Sequence, residues 1–368
     1  MKPFAAAAIF LMTAGLMCVA QQPHSAAVPK LDFEVIGRPY VGSPVDAQIA
    51  AALKNVSPER IKANISRLVD FNNRSTISST ETDLKSGTGI FAAADWIKSQ
   101  FESYGKDCGG CLEVKFDEFV EQPQPGFNNS RSRIIKPTPL RNVIAILKGT
   151  DRAASKRMHL VTGHYDTRET DVMNTHDPAP GANDDSSGTA VSLEAARVLS
   201  RYKFPATLVF VTVASEEQGL NGSHHLARLA KEQGWQLEGV LNNDIVGGDT
   251  TPGDTLQSKQ RIRVFSQGIL PSWSIEQIRA TLATGGESET PSRQLARQVL
   301  AVGKAYLSSG PQSFHPVMEL RLDRFAEVTT APSAIRTSQR SASRSGERTS
   351  IIGTSTCARR MANSMATF

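Results

Sequence analysis

Apolar residues recur at two periods along the middle of the chain, and the two periods alternate. Helical spacing begins after Ser57, where Ile61, Ile65, Leu68 and Val69 fall on one face, and returns in IFAAADWIKSQFESY, SSGTAVSLEAARVLSRY and GSHHLARLAKEQG. Strand-like runs are LEVKFDEFV, NVIAILKG, MHLVTGHYDT, TLVFVTVASEE and LEGVLNNDIVG. This alternation predicts an α/β fold, a three-layer sandwich whose central mixed, mostly parallel sheet has helices on both faces.

The two ends of the chain do not share this pattern. Residues 1–20 start with one lysine, continue as an apolar run and end in Cys-Val-Ala before polar QQPHS, as a cleaved secretory signal does. We expect residues 21–56 to be an N-terminal leader, 57–325 the folded domain and 326–368 a disordered tail. The protein is therefore expected to be exported, secreted or periplasmic, with no membrane attachment after signal removal.

The net charge of +5 does not indicate a nucleic-acid partner. Residues 326–368 contain six arginines and two glutamates, and so hold four of the five net positive charges. The rest of the chain is close to neutral. A basic surface for nucleic acid is not expected.

Two of the four cysteines lie close together, Cys108 and Cys111 in DCGGC. In an oxidising compartment they can pair, whereas a thioredoxin-like redox pair would need a strand leading into a helix at this point. A four-cysteine zinc site is excluded, because Cys18 leaves with the signal and Cys357 is the only other candidate. We predict a local disulfide.

Side chains able to bind a metal follow three successive strands, in TGHYDT, SEEQG and NNDIVG, and a fourth group lies in PGANDDSSG before a helix. They are His164, Asp166, Asp184, Asp185, Glu216, Glu217 and Asp244. In α/β proteins with a mostly parallel sheet, bound molecules and ions lie at the carboxyl ends of the strands. Mixed imidazole and carboxylate ligands suit zinc, and a pair of ions about 3.5–4 Å apart can activate water and polarise a carbonyl together.

In their order and separations, GHYDT, PGANDDSSG, SEEQGLNGS and LNNDIVG resemble the two-zinc aminopeptidase family, which also includes glutamate carboxypeptidase relatives. The resemblance covers about Ser57 to Phe325. It implies a zinc exopeptidase fold, a catalytic domain at residues 57–325, peptide substrates, and hydrolysis of N-terminal peptide bonds by water activated at Zn²⁺.

The resemblance also implies a ligand set for two zinc ions. Asp184 would bridge the ions, His164 and Asp244 would complete one of them, and Glu217 would bind the other. The family supplies a fifth ligand, a histidine near the C-terminus, but this chain has no histidine after His315.

Two further roles follow from the resemblance. Glu216 would be the general base that takes a proton from the attacking water, and Asp166 would orient the imidazole of His164. Asp185 is expected only to brace its loop. His224 and His225 lie on the first turn of a predicted helix and are expected to be surface or packing residues.

The tail after Phe325 departs from the family. It has 15 Ser and Thr in 43 residues, which is typical of disorder. Read in another codon frame, EVTTAPS is compatible with Gly-Asp-His-Ser-Ala-Phe and TSTCA with His-Gln-His-Val-Arg, segments that this family has at its C-terminus. We therefore expect a frameshift near Phe325 that removed the last ligand.

Three functions remain open from the sequence: a zinc aminopeptidase impaired by the missing ligand, a glutaminyl-cyclase-like enzyme with one zinc, and an inactive peptidase homologue. The presence of both His164 and Asp244 favours the peptidase. Zinc stoichiometry together with amide hydrolysis would separate the three.

Overall fold

The structure is a computed structural model that describes residues 45–123, 132–247, 260–270 and 273–307, and the backbone of residues 315–319. The predicted signal peptide, most of the leader and the tail lie outside the described residues, so the interpretations of them stay predictions. The described part of the predicted leader, residues 45–56, contains one helix, Ala47–Lys54.

The described elements follow the predicted order closely. The helices are α1 Ala47–Lys54, α2 Pro58–Val69, α3 Gly89–Asp107, α4 Ser186–Leu199, α5 Asn221–Glu232, α6 Ile275–Ala283 and α7 Pro291–Leu307. The strands are β1 Leu112–Glu121, β2 Thr138–Leu147, β3 Arg157–His164, β4 Thr207–Val213, β5 Gln236–Asn242, β6 Arg261–Phe265 and β7 His315–Glu319.

Five strands form a mixed sheet in the order β1-β2-β4-β3-β5. The pairs β1–β2 and β2–β4 are antiparallel, while β3 is parallel to both β4 and β5. The predicted mixed α/β sheet is thus confirmed, and its parallel half is β4, β3 and β5. A separate pair, β6 with β7, is parallel and was not predicted.

Alternate side chains of the sheet enter two different apolar clusters, because successive strand residues point to opposite faces. Val143 and Phe210 pack with residues of α2, α3 and α4 in one cluster. Ile144 and Val211 pack with Leu226 of α5 in the other. The sheet is therefore covered by helices on both faces, and its centre is buried.

The predicted disulfide is present, with Cys108 bonded to Cys111. It closes the turn between α3 and β1. Gly109 and Gly110, between the two cysteines, have φ values of 75° and 88°, which glycine adopts without a Cβ clash. None of the helices within the described residues is long and apolar enough to cross a membrane.

Strand β3 and helix α4 touch backbone to backbone just before His164. A Cβ added at Gly163 would lie 2.5 Å from the carbonyl carbon of Gly188. This contact fixes the end of β3 against the start of α4. A glycine is required here because the space for a side chain is taken by main chain.

We predict that Gly163→Ala destabilises the fold by about 1–3 kcal/mol, the usual cost of overpacking. Gly105→Ala is the matched control: it lies inside α3, and its nearest contact, with Leu112, is an ordinary 3.4 Å. Urea unfolding of both variants measures the difference. Equal unfolding midpoints would show that the backbone at the β3–α4 contact can shift at little cost in stability.

Candidate metal centre

The predicted ligands come together at the carboxyl edge of the parallel half of the sheet. His164 is the last residue of β3, and Asp244 lies two residues beyond the end of β5. Glu216 and Glu217 follow β4, and Asp184 lies in the loop just before α4. Parallel strands bring these chain segments to the same edge.

Three of these side chains form a compact set of donors. The Nε2 atom of His164 lies 3.1 Å from Oδ1 of Asp184 and 3.8 Å from Oδ1 of Asp244. One ligand atom from each residue lies within 4.8 Å of the other two. One imidazole and two carboxylates suit zinc, so the residues present fit such an ion.

The cluster is open to solvent on one side. The His164 side chain is 4% exposed, whereas that of Asp184 is 49% exposed. Burial by itself would lower the pKa of His164, but its hydrogen bonds to Asp166 and Asp184 raise that pKa well above its ordinary value. A metal ion can therefore reach the three candidate ligand residues from the side on which Asp184 is exposed.

Asp166 lies behind His164 and is fully buried. Its Oδ1 atom is 3.4 Å from Nδ1 of His164, on the ring side away from the donor cluster. It also accepts hydrogen bonds from the amides of Glu216 (3.1 Å) and Glu217 (3.2 Å) and from the hydroxyl of Thr76 (2.9 Å). Asp166 therefore holds the imidazole and the two-glutamate turn in one arrangement.

The two glutamates lie in a turn rather than in a strand. β4 ends at Val213, and Ser215 has a left-handed φ of 63°. The strand alternation that would point Glu216 and Glu217 to opposite faces therefore does not apply to them. Both amides of the turn are held by Asp166.

The carboxyl groups of this turn are poorly solvated and near other acids. Burial raises the pKa of Glu216 well above its usual range; the His164 imidazole opposes this, and Glu217 and Asp244 add to it. Burial, and then the charge of Asp184, raise the pKa of Glu217 to about 7. Raised carboxyl pKa values in a cleft are typical of functional sites.

Two arginines that the sequence did not single out contact Glu217. Nε of Arg168 donates to its Oε2 over 2.6 Å, and Nη1 of Arg133 donates to its backbone oxygen over 2.6 Å. Burial opposes ionisation of Asp184, but its hydrogen bond to His164, the charge of His164 and then that of Arg168 lower its pKa below the usual value. Glu217 is consequently held by an ion pair and lies outside the compact three-residue donor set.

Asp185 ties together the backbone of all three ligand-bearing segments. One oxygen accepts from the amide of His164 (3.0 Å), and the other from those of Gly188 (2.8 Å) and Ile245 (3.3 Å). It is the N-cap of α4 and is fully buried. The expectation that Asp185 braces its loop agrees with this geometry.

Arg74 is a second buried brace, and it belongs to no motif recognised in the sequence. Its guanidinium donates to the backbone oxygens of Tyr165 (2.7 Å) and Pro180 (3.0 Å) and to the hydroxyl of Ser186 (2.8 Å). Burial lowers the pKa of Arg74 to about 10, while the nearby Asp166 opposes this. Arg74 thus links the end of β3 to the loop that presents Asp184.

The helix α5 histidines have no part in the donor cluster. His225 lies with Nε2 2.9 Å from Oδ1 of Asp117, and its ring stacks on Phe119 with the ring centroids 4.0 Å apart. Burial lowers the pKa of His224. Neither belongs to the group of possible metal ligands found among the described residues.

The fold and the donor set define an α/β protein with a candidate divalent-metal centre at a sheet edge. Residues 142–284 match the model of peptidase family M28. The predicted resemblance to zinc peptidases is thereby confirmed, with the four motifs at its centre.

Two curated relatives of this chain are both named as probable zinc metalloproteases. A probable zinc metalloprotease of Pyrenophora teres f. teres is 39% identical over 293 residues, which are 79% of this chain and 57% of that protein. A probable zinc metalloprotease of Pyricularia oryzae is 42% identical over 260 residues, 70% of this chain and 49% of that one. The chain therefore spans about half the length of the curated relatives it matches.

Among solved structures, LapB from Legionella pneumophila is similar to this chain, with a TM-score of 0.44 and 24% identity. The match covers 66% of this chain and 56% of LapB.

We predict that Asp185→Asn lowers zinc affinity roughly 10- to 100-fold, the usual effect of losing a group that holds metal ligands in place. It should also lower the free energy of unfolding by at least about 2 kcal/mol, because an amide has only one acceptor oxygen for these donors. Zinc titration and urea unfolding measure the two effects.

Asp151→Asn is the matched control for this substitution. Asp151 also accepts two backbone amides, from Ala153 and Ala154, but at an exposed turn. Zinc affinity should be unchanged in the control. If Asp185→Asn also binds zinc like the unmodified chain, Asp185 does not position the ligands.

Proposed function

We propose that this protein is a zinc-dependent exopeptidase that removes residues from the N-termini of peptides. The observation that carries the proposal is the compact set of His164, Asp184 and Asp244 beside the half-buried Glu216. The match to peptidase family M28 supports peptide hydrolysis. The disulfide supports an oxidising, exported location.

In the proposed reaction, His164, Asp184 and Asp244 hold the ion and Glu216 moves the proton. Zinc, when bound, supplies a Lewis acid that makes water a stronger nucleophile and polarises the carbonyl oxygen. Glu216 takes the proton from the attacking water and gives it to the leaving amine.

The surrounding residues keep this geometry fixed. Asp166 orients the His164 ring by contacting its Nδ1 atom, and Nε2 then faces the donor cluster. The same carboxylate holds the amide of Glu216, so the base and the ligand share one support. Small changes in that support are expected to cost rate, because catalysis depends on positioning.

A second candidate function is that of a glutaminyl-cyclase-like enzyme with a single zinc. It is favoured by one observation: the donor cluster of the described residues has three members, and Glu217 is paired with Arg168 instead. Assays on a peptide with N-terminal glutamine separate the two functions. Release of the terminal residue supports the peptidase, and cyclisation with loss of ammonia supports the alternative.

We predict that the present chain binds at most one zinc well and hydrolyses aminoacyl amides weakly. Only Glu217 and the bridging Asp184 would hold a second ion, fewer than the three protein ligands typical of a catalytic zinc. A version with the reading frame restored after Phe325 should gain the second zinc and hydrolysis together. Two tightly bound ions with full activity in the present chain would contradict this account.

In the frame-restored protein, Glu216→Gln should keep its zinc and lose about 10²- to 10⁴-fold in turnover, the usual contribution of a general base. Glu217→Gln should instead lower zinc content. Metal analysis and amide hydrolysis distinguish the two.

Glu289→Gln, an exposed glutamate paired with Arg297, is the control and should change neither zinc content nor turnover. Equal zinc loss in Glu216→Gln and Glu217→Gln would mean that the roles assigned to the two neighbours are wrong.

A further inference from the structure

Glu217 differs from the other candidate ligands in what it contacts. Its carboxylate accepts the short hydrogen bond from Nε of Arg168, over 2.6 Å. The three residues His164, Asp184 and Asp244 form a donor set without it. A metal ion at Glu217 therefore has to compete with a guanidinium that is already there.

The ion pair is built into the site. Arg168 follows Asp166 by two residues, and the Asp166 carboxylate accepts the amide of Glu217 over 3.2 Å. The backbone of Glu217 is thus fixed by a buried acid that lies two residues before Arg168 in the chain. The pair is asymmetric, because the Arg168 side chain is 34% exposed and that of Glu217 is 11% exposed. Arg168 is therefore the partner with more access to solvent, and Glu217 is the more enclosed one.

The charges around the pair favour this arrangement. The Glu217 and Asp184 carboxylates are like charges on the same side of the site, and the guanidinium of Arg168, 2.6 Å from Oε2 of Glu217, places a positive charge beside them. A cation placed between Glu217 and Asp184 relieves the repulsion between them. Arg168 supplies a positive charge of this kind by direct contact with Glu217.

We propose that Arg168 is an exchangeable counter-ion of Glu217 that competes with a second metal ion. The protein then fills its site in a fixed order. The first ion binds His164, Asp184 and Asp244, and a second binds only when Arg168 leaves Glu217. The inference rests on the proposed zinc site for its first ion, and it adds a residue that sets how many ions the site holds.

The test is zinc binding by the full chain, measured by competition with a chromophoric chelator and by metal analysis after dialysis. The variants are Arg168→Gln, Arg168→Ala as a second form of the same change, and Arg168→Gln combined with Glu217→Gln. Arg297→Gln is the matched control, because it removes an arginine paired with a glutamate 3.0 Å away that is not one of the candidate ligands. Unfolding midpoints establish that each variant is folded.

We expect the unmodified chain and the control to bind one zinc tightly and a second weakly. Removing Arg168 should strengthen the second equivalent about tenfold or more, the lower end of the effect of a neighbouring charge on a carboxylate. The first equivalent should be unchanged. The double variant should lose the gain, because Arg168 acts through Glu217.

Three results would overturn the inference: a second equivalent that is no tighter without Arg168 than in the control, a gain that persists in the double variant, or a second ion bound by the unmodified chain as tightly as the first. The absence of even one zinc in the unmodified chain would instead refute the proposed function. The two failures are therefore distinguishable.

Discussion

The site depends on one constraint, the crowding of carboxyl groups at a single edge of the sheet. Like charges in a poorly solvated place repel strongly unless donors or cations compensate them. The structure treats the acids in two ways. Asp166 and Asp185 are fully buried, and their oxygens accept hydrogen bonds from backbone amides and hydroxyl groups. Asp184, Asp244 and Glu217 instead face one another and a few positive groups. Asp166 and Asp185 form the scaffold, whereas Asp184 and Asp244 join His164 in the candidate metal site and Glu217 pairs with Arg168 beside it.

The backbone near these acids is held in conformations that isolated residues avoid. Ser215, just before Glu216, has a φ of 63°, and Ile245, just after Asp244, has a φ of 52°. A left-handed conformation is unusual for a β-branched residue and persists where the surroundings fix it. The amide of Ile245 donates to Asp185, and the oxygen of Ser215 accepts from the amide of Asn221. Ser215 and Ile245, which adjoin candidate ligands, are therefore held in their left-handed conformations by hydrogen bonds to Asn221 and Asp185.

Much of this arrangement could be predicted from sequence, because the motifs follow strand ends and parallel strands bring their ends together. The supports could not be predicted. Arg74 and Thr76 lie in FNNRSTISST, which has neither a period nor a known motif, and they meet the site through contacts about 90 residues or more distant in sequence. Arg168 reads as an ordinary loop cation, since its partner Glu217 is 49 residues away. Nor does apolar patterning give strand direction, so the antiparallel half of the sheet and the β6–β7 pair appeared only in the structure.

The central claim is that His164, Asp184 and Asp244 hold a zinc ion, and anomalous diffraction at the zinc edge from crystals grown with zinc tests it most directly. The account predicts a strong peak about 2.0–2.2 Å from Nε2 of His164 and from one carboxylate oxygen each of Asp184 and Asp244. It also predicts that this is the first site to fill when zinc is limiting. A first peak at another group of side chains, or none at this edge of the sheet, would contradict the account.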